Sequence, residues 1–165
     1  MIVIERITPE AALAFKDVRL RALQDSPMAF SSTYANESQF PDEEWRKRSV
    51  RGSSDGAAGF LAFDGERGCG MVFVFAEEQD ACMARVVSMW VAPDIRREGV
   101  GRRLIEAVVE WARLREIRQV KLMVTSVNQG AIAFYERMGF GMTGKTEVYP
   151  NDPAITEYEM VRAIL

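Results

Sequence analysis

The chain has 165 residues, 48% of them apolar, and a net charge of −3 from 21 basic and 24 acidic side chains. That length and apolar content suit a single domain, residues 1–165, with one sizeable core, and the mild acidity excludes a protein built as a whole to hold nucleic acid. Histidine is absent, which excludes Ser–His and Cys–His nucleophilic catalysis and every histidine-based zinc site.

Ile2–Ile7 reads as a first strand. Its opening residues lack the make-up of a secretory leader, and no run approaches the roughly 18 apolar residues of a membrane span. The expected setting is the cytoplasm, with no membrane partner. Thr8-Pro9-Glu10 marks a helix start, because proline suits the first helical position. Ala12, Leu13, Phe15, Val18, Leu20, Ala22 and Leu23 then form a helical stripe to about Gln24. Asp25-Ser26-Pro27 ends it, since the residue before a proline avoids the helical region. Phe30–Phe40 is polar and aromatic, and helical in part. Pro41-Asp42-Glu43-Glu44-Trp45 opens a short helix to about Val50, and Arg51–Gly56 is a Gly/Ser loop.

Ala57–Phe63 and Cys69–Ala76 make a hairpin around Asp64–Gly68. After a turn at Glu77–Asp80, Met83–Val91 is a long strand. Cys69 and Cys82 fall in separate predicted strands without metal-ligand spacing. They are expected as buried reduced thiols, with no metal. A helix from Val100 to about Glu116 carries Leu104, Ile105, Val108 and Ala112 on one face. Val120, Leu122 and Val124 alternate along the next strand. Asn128 caps a helix over Gln129–Met138. Gly139–Val148 and Ile155–Ile164 are the last strands, joined by Tyr149–Pro153. This order predicts an α+β fold: a mixed, mostly antiparallel twisted sheet of about seven strands flanked by about four helices. A parallel central pair is bridged by the helix from Val100.

The most informative stretch is Arg96-Arg97-Glu98-Gly99-Val100-Gly101, at a strand-to-helix turn. Two glycines let backbone approach a ligand closely. The helix start offers unpaired N–H groups and the positive dipole end, a site suited to a pyrophosphate. Arg96, Arg97, Arg102 and Arg103 add positive charge, which is mildly unfavourable there without an anion. A Walker loop is excluded, because Arg102 and Arg103 stand where Lys and Ser/Thr are required. A dinucleotide fingerprint is excluded by Leu104 in the third glycine position.

The pattern Arg-x-x-Gly-x-Gly after Val91-Ala92-Pro93 resembles the acyl-CoA signature of the GNAT N-acetyltransferase superfamily. A second block, Val127-Asn128-Gln129-Gly130-Ala131-Ile132-Ala133-Phe134-Tyr135-Glu136-Arg137-Met138-Gly139-Phe140, resembles that family's other signature. The resemblance implies acetyl-CoA as co-substrate. It implies binding by Met89, Trp90 and Val91 at the strand end, by Arg96, Arg97, Glu98, Gly99, Val100, Gly101 and Arg102 in the loop, and by Asn128 and Tyr135. It also implies that a main-chain N–H at Val91 faces the thioester carbonyl, an interaction worth roughly 3–4 kcal/mol in related oxyanion sites.

Tyr135 is the leading general acid for the departing thiolate: a phenol of pKa about 10 stays protonated at neutral pH. Its plainer reading is a helix core aromatic, as a bare N-cap is for Asn128. The resemblance would place a glutamate base at position 123, which is Met123 here; the strand Met83–Val91 has no carboxylate either and offers Ser88. Glu37, Tyr34 and Glu147, or a water chain through Ser88, are the alternatives. Without a strong base the expected acceptor is a low-pKa amine: a small molecule, amino acid or peptide N-terminus. Phe30, Tyr34, Glu37 and Ser88 are candidates for holding it. The expected activity is acetyl transfer by direct attack in a ternary complex. The competing reading is a non-catalytic CoA-binding or partner-binding module on the same fold. No nucleic-acid partner is expected, and exposed sheet edges suit a homodimer.

Overall fold

The strand-forming runs pair into one sheet. A computed structural model, describing residues 1–164, places β1 (Ile2–Arg6), β2 (Ala57–Asp64), β3 (Arg67–Ala76), β4 (Met83–Val91), β5 (Gln119–Thr125), β6 (Gly141–Val148) and β7 (Thr156–Ala163) in the order β1-β2-β3-β4-β5-β7-β6. Among the described residues only β4 and β5 pair in parallel. The helices are α1 (Ala12–Asp25), α2 (Tyr34–Glu37), α3 (Asp42–Arg51), α4 (Val100–Leu114) and α5 (Gln129–Arg137), with α4 connecting the parallel pair. The predicted order stands, with α2 as one short turn and a 3₁₀ turn over Pro9–Ala11 before α1.

The apolar face of α4 buries Leu104, Ile105, Val108 and Ala112, as its spacing predicts, and adds Val109 and Trp111. Phe15, Val18, Ala22 and Leu23 of α1 are buried, whereas Leu13 of the predicted stripe is 66% exposed. Trp45 has no exposed surface and packs against Phe15 and Phe40. Cys69 is the buried thiol expected. Cys82 departs from expectation: it lies exposed in the turn before β4. No described helix is long and apolar enough to cross a membrane.

One irregularity positions the site. β4 and β5 pair only from Met83↔Gln119 to Arg85↔Lys121. Between the pairs Phe73↔Val87 and Met71↔Trp90, β4 places Ser88 and Met89 against Val72 alone. Ser88 takes a left-handed φ of 58°. An extra residue in one strand bends it, and beyond this bulge the inner edges of β4 and β5 are unpaired and face a gap.

Candidate active site

Two cavities open from this gap and meet at Met89, Asn128, Ala131 and Tyr135, which line both. The first, of about 660 Å³, is walled by Met89, Trp90 and Val91, by the loop residues Arg96, Arg97, Gly99, Gly101 and Arg102, and by α5. Two glycines and the start of α4 bring backbone to its loop side. Gly99 precedes α4 with φ +85°, and no atom lies within 4 Å of where a Cβ would stand. Arg97 is also left-handed, at φ 72°. No side chain caps α4, so its first N–H groups are unpartnered by a cap and open to an anion. Gly101 serves in a different way: a Cβ there would sit 3.0 Å from the Phe134 ring, which would have to shift by a few tenths of an ångström.

Alternation along β4 aims the remaining donors. The Ala92 N–H bonds to Cys69 O at 2.8 Å, on the β3 side. Successive strand N–H groups point to opposite edges, so that of Val91 points into the gap. The arginines differ among themselves. Arg96 donates to Asp25 Oδ2 at 2.6 Å and to Val91 O at 2.9 Å. Asp25 also accepts from Trp90 Nε1 at 3.0 Å. Burial pushes the Asp25 carboxyl up, but the bonds from Trp90, Ser26 and Arg96 outweigh it and hold it below its usual range. Arg97 and Arg102 are exposed and make no ion pair among the described residues. Arg103 turns away to the Ile2 carbonyl at 2.6 Å. Glu98 and Val100 do not line the cavity: Glu98 is exposed and Val100 lies in the core.

At the junction, Asn128 accepts from the Ala131 N–H at 3.1 Å, the predicted cap. Tyr135 packs edge-on against Phe134 and Phe140. Its hydroxyl has no hydrogen-bond partner among the described residues, and burial pushes its pKa above the usual value. It therefore stays protonated across the neutral range.

The second cavity, of about 410 Å³, is walled by side chains: Arg19 and Phe30, Arg85 and Ser88 of β4, Met123 and Thr125 of β5, Glu147, Tyr149 and Glu157. Tyr149 donates to Phe30 O at 2.8 Å, and Asn151 Nδ2 to the same oxygen at 3.3 Å. These bonds tie the β6–β7 loop to the segment after α1 and close the cavity. Arg19 donates to both Glu37 oxygens, at 3.0 and 2.9 Å, and to Ser88 Oγ at 2.8 Å. Arg48 adds a bond to Glu37 Oε1 at 2.8 Å.

That network corrects the expectations for Glu37. Its carboxylate has no exposed surface, does not line the cavity, and is saturated by two guanidinium groups. Burial raises its pKa, but Arg19, Ser32 and Arg48 outweigh this and hold it low. A carboxylate so bound is spent on its own arginines, and with its pKa held low it is no base for an ammonium at neutral pH. Tyr34 also lies outside the cavity, 40% exposed. Phe30, Ser88 and Glu147 do line it. Sequence reasoning missed Glu157 and Arg85 as wall residues. The strand alternation of β7 held the signal, but only its register against β5 and β6 shows which face opens on the gap.

The sequence profile of the Acetyltransferase (GNAT) family matches residues 20–140, and the chain belongs to that family. It is 31% identical over 122 residues to a mycothiol acetyltransferase of Geodermatophilus obscurus, covering 72% of this chain and 39% of that protein. The chain spans between 26% and 39% of the length of three curated relatives it matches. Its fold superposes on a GNAT-family acetyltransferase from Streptococcus pneumoniae with a TM-score of 0.82 at 23% identity, covering 100% of both chains. It also superposes on the PaiA N-acetyltransferase from Thermoplasma acidophilum in complex with coenzyme A, at 0.79 and 16% identity, covering 99% of both.

Proposed function

We propose that this chain transfers an acetyl group from acetyl-CoA to a primary amine, by direct attack within a ternary complex. The observation that carries the reading is Tyr135, which lines both cavities and whose hydroxyl has no hydrogen-bond partner among the described residues. One cavity has an anion-seeking backbone loop and the other a polar wall. Acetyl-CoA is a co-substrate consumed in the reaction, and it supplies the activated acetyl group. The first cavity fits it: space is open above Gly99 and the α4 N–H groups lie ahead of Arg97 and Arg102. The Val91 N–H would steady negative charge on the acetyl oxygen. Tyr135 would give its proton to the departing sulfur. Asn128 would contact the CoA arm with groups its cap leaves free.

The acceptor cavity suits a small amine, an amino acid or a peptide N-terminus, given its size. Residues 1–165 would carry both half-sites in one domain, with no metal.

Calorimetric titration of acetyl-CoA, followed by CoA release with a panel of amines, tests the reading. Micromolar binding with turnover is the expected result. Binding without turnover for any amine would favour a non-catalytic CoA-binding module, and no binding would overturn both readings.

A further inference from the structure

The acetyl-transfer reading requires that an ammonium lose a proton before it can attack. Two carboxylates line the acceptor cavity, and neither makes a hydrogen bond or ion pair among the described residues: Glu147 of β6 and Glu157 of β7. They are direct cross-strand partners. Such neighbours share a face, their Cβ atoms about 5 Å apart, where like charges repel. Glu157 also stands opposite Thr125, the last residue of β5, where β5 has parted from β4. Thr125, Asn128 and Tyr135 line the same cavity. Glu157 therefore shares one space with the groups assigned to the reacting end of acetyl-CoA.

The charged groups around it come from every neighbouring element. Arg85 of β4 lines the cavity without an ion pair. Arg19 of α1 lines it too, but is committed to Glu37 and Ser88. Tyr135 of α5 and Tyr149 of the β6–β7 loop line the same cavity, the Tyr149 hydroxyl donating to Phe30 O. On β7 itself, Glu159 bonds to Thr143 and lies outside the cavity. Lys121 of β5 pairs with Glu77, and Lys145 of β6 does not line the cavity.

Resting on the acetyltransferase reading, we infer that Glu157 accepts the proton of the incoming amine, and that Glu147 is a positioning residue that keeps it basic. Burial first, then the charge of Glu147, push the Glu157 carboxyl above its usual range, and Arg85 pulls it only partly back. That direction suits a base working on an ammonium, because it narrows the gap between the two pKa values. The ammonium gives one proton to Glu157. The nitrogen lone pair then forms the bond to the acetyl carbon, and the carbon–sulfur bond breaks with its electron pair leaving on sulfur. Tyr135 protonates the sulfur and is reprotonated by the nitrogen's second proton. Glu157 returns its proton to solvent. The products are the N-acetyl amine, free CoA and one proton.

The assignment replaces the sequence-based expectation of a site without a strong base, for which Glu147 but not Glu157 stood among the alternatives. It removes the preference for low-pKa amines and favours cationic acceptors drawn by two glutamates.

The test is the pH profile of kcat/KM, read by CoA release, for several amines of different pKa. A limb common to all of them belongs to the enzyme. With Glu157→Gln, activity at neutral pH should fall on the order of 10²-fold and the common limb should vanish. The loss should shrink towards the amine's own pKa, with acetyl-CoA affinity unchanged. Glu147→Gln should keep the limb and move it to lower pH, since a like charge is gone. A Glu157→Gln profile matching the wild type overturns the inference while leaving acetyl transfer intact. Acetyl-CoA binding with no CoA release from any amine overturns the acetyl-transfer reading, and the inference with it.

Discussion

The two cavities that meet at Tyr135 are walled by different material. The donor side leans on main chain at its loop: N–H groups without a side-chain cap at the start of α4, two left-handed residues, and a glycine beside Phe134. The acceptor side is mostly side chain, drawn from α1, β4, β5, β6, β7 and the loop after β6. A backbone site admits few changes, because its groups are the same in every residue and its shape depends on glycine. A side-chain site can be re-specified one residue at a time. The contrast suits a family whose members share one co-substrate and differ in acceptor.

The largest expected effect sharpens this contrast by attacking the acceptor wall from behind. Glu37→Gln would leave Arg19 and Arg48 facing a neutral amide. Breaking a buried ion pair costs about 3–5 kcal/mol, to be read by urea denaturation at pH 7. Because the Glu37 carboxyl is held low in the folded protein, its stabilisation is present above the unfolded value of roughly 4.3. It is lost as pH falls through the lowered folded value. The gap between variant and wild type should therefore close only in acid. Acetyl-CoA affinity of the folded variant should not move. A loss below about 0.5 kcal/mol, the range of an ordinary surface change, would show that the network does not anchor Arg19.

At the junction, Tyr135→Phe removes one oxygen and keeps the ring packing on Phe134 and Phe140. Turnover should fall about 10²- to 10³-fold, in the range of a lost general acid, with acetyl-CoA affinity retained. Because burial raises this phenol's pKa, the wild type should show no tyrosine limb near neutrality. Equal turnover in the two proteins would return Tyr135 to the role of a core aromatic.

The two sides also differed in how much the sequence disclosed. The donor side was written in local spacing: Gly99 and Gly101 two apart, Val91 at a strand end, Asn128 at a helix start. Each is a contiguous requirement of one turn, so the residues are legible without the fold. The helix stripe of α4 and the order of elements were legible for the same reason. The acceptor side depends on register. Glu157 faces the cavity because β7 pairs with β5 and β6 as it does, and because the Ser88 bulge opens the gap. Neither is a local pattern. Glu37 misled in the opposite direction. It reads as an exposed acid on a polar segment, and only the folded chain brings Arg19 and Arg48 to both its oxygens.

On the donor side, Gly99→Val should weaken acetyl-CoA binding about tenfold. A side chain held left-handed costs roughly 1–2 kcal/mol, a cost that the free turn sheds by relaxing and that binding must restore, and about 1.4 kcal/mol is a factor of ten. No atom lies within 4 Å of the new Cβ, so a loss beyond this points to space the ligand itself needs. Unchanged affinity, measured by calorimetry, would mean that the turn does not touch the co-substrate.

The smallest effect separates two arginines that the sequence treats alike. Arg102 lines the donor cavity, is exposed, and makes no ion pair among the described residues. Arg102→Ala should cost acetyl-CoA less than about 1 kcal/mol, as expected of an exposed charge. The loss should fade as salt rises, because the Debye length shrinks from about 10 Å at 0.1 M to 3 Å at 1 M. Arg96 lines the same cavity, but its guanidinium is bound to Asp25 and the Val91 carbonyl, and Asp25 also holds the Trp90 indole. Its removal should act through the positions of Trp90 and Val91. The affinity lost with Arg96→Ala should therefore persist at high salt and be accompanied by lower thermal stability. If both variants show the same salt-sensitive loss, Arg96 acts as a free charge and Asp25 is not its anchor.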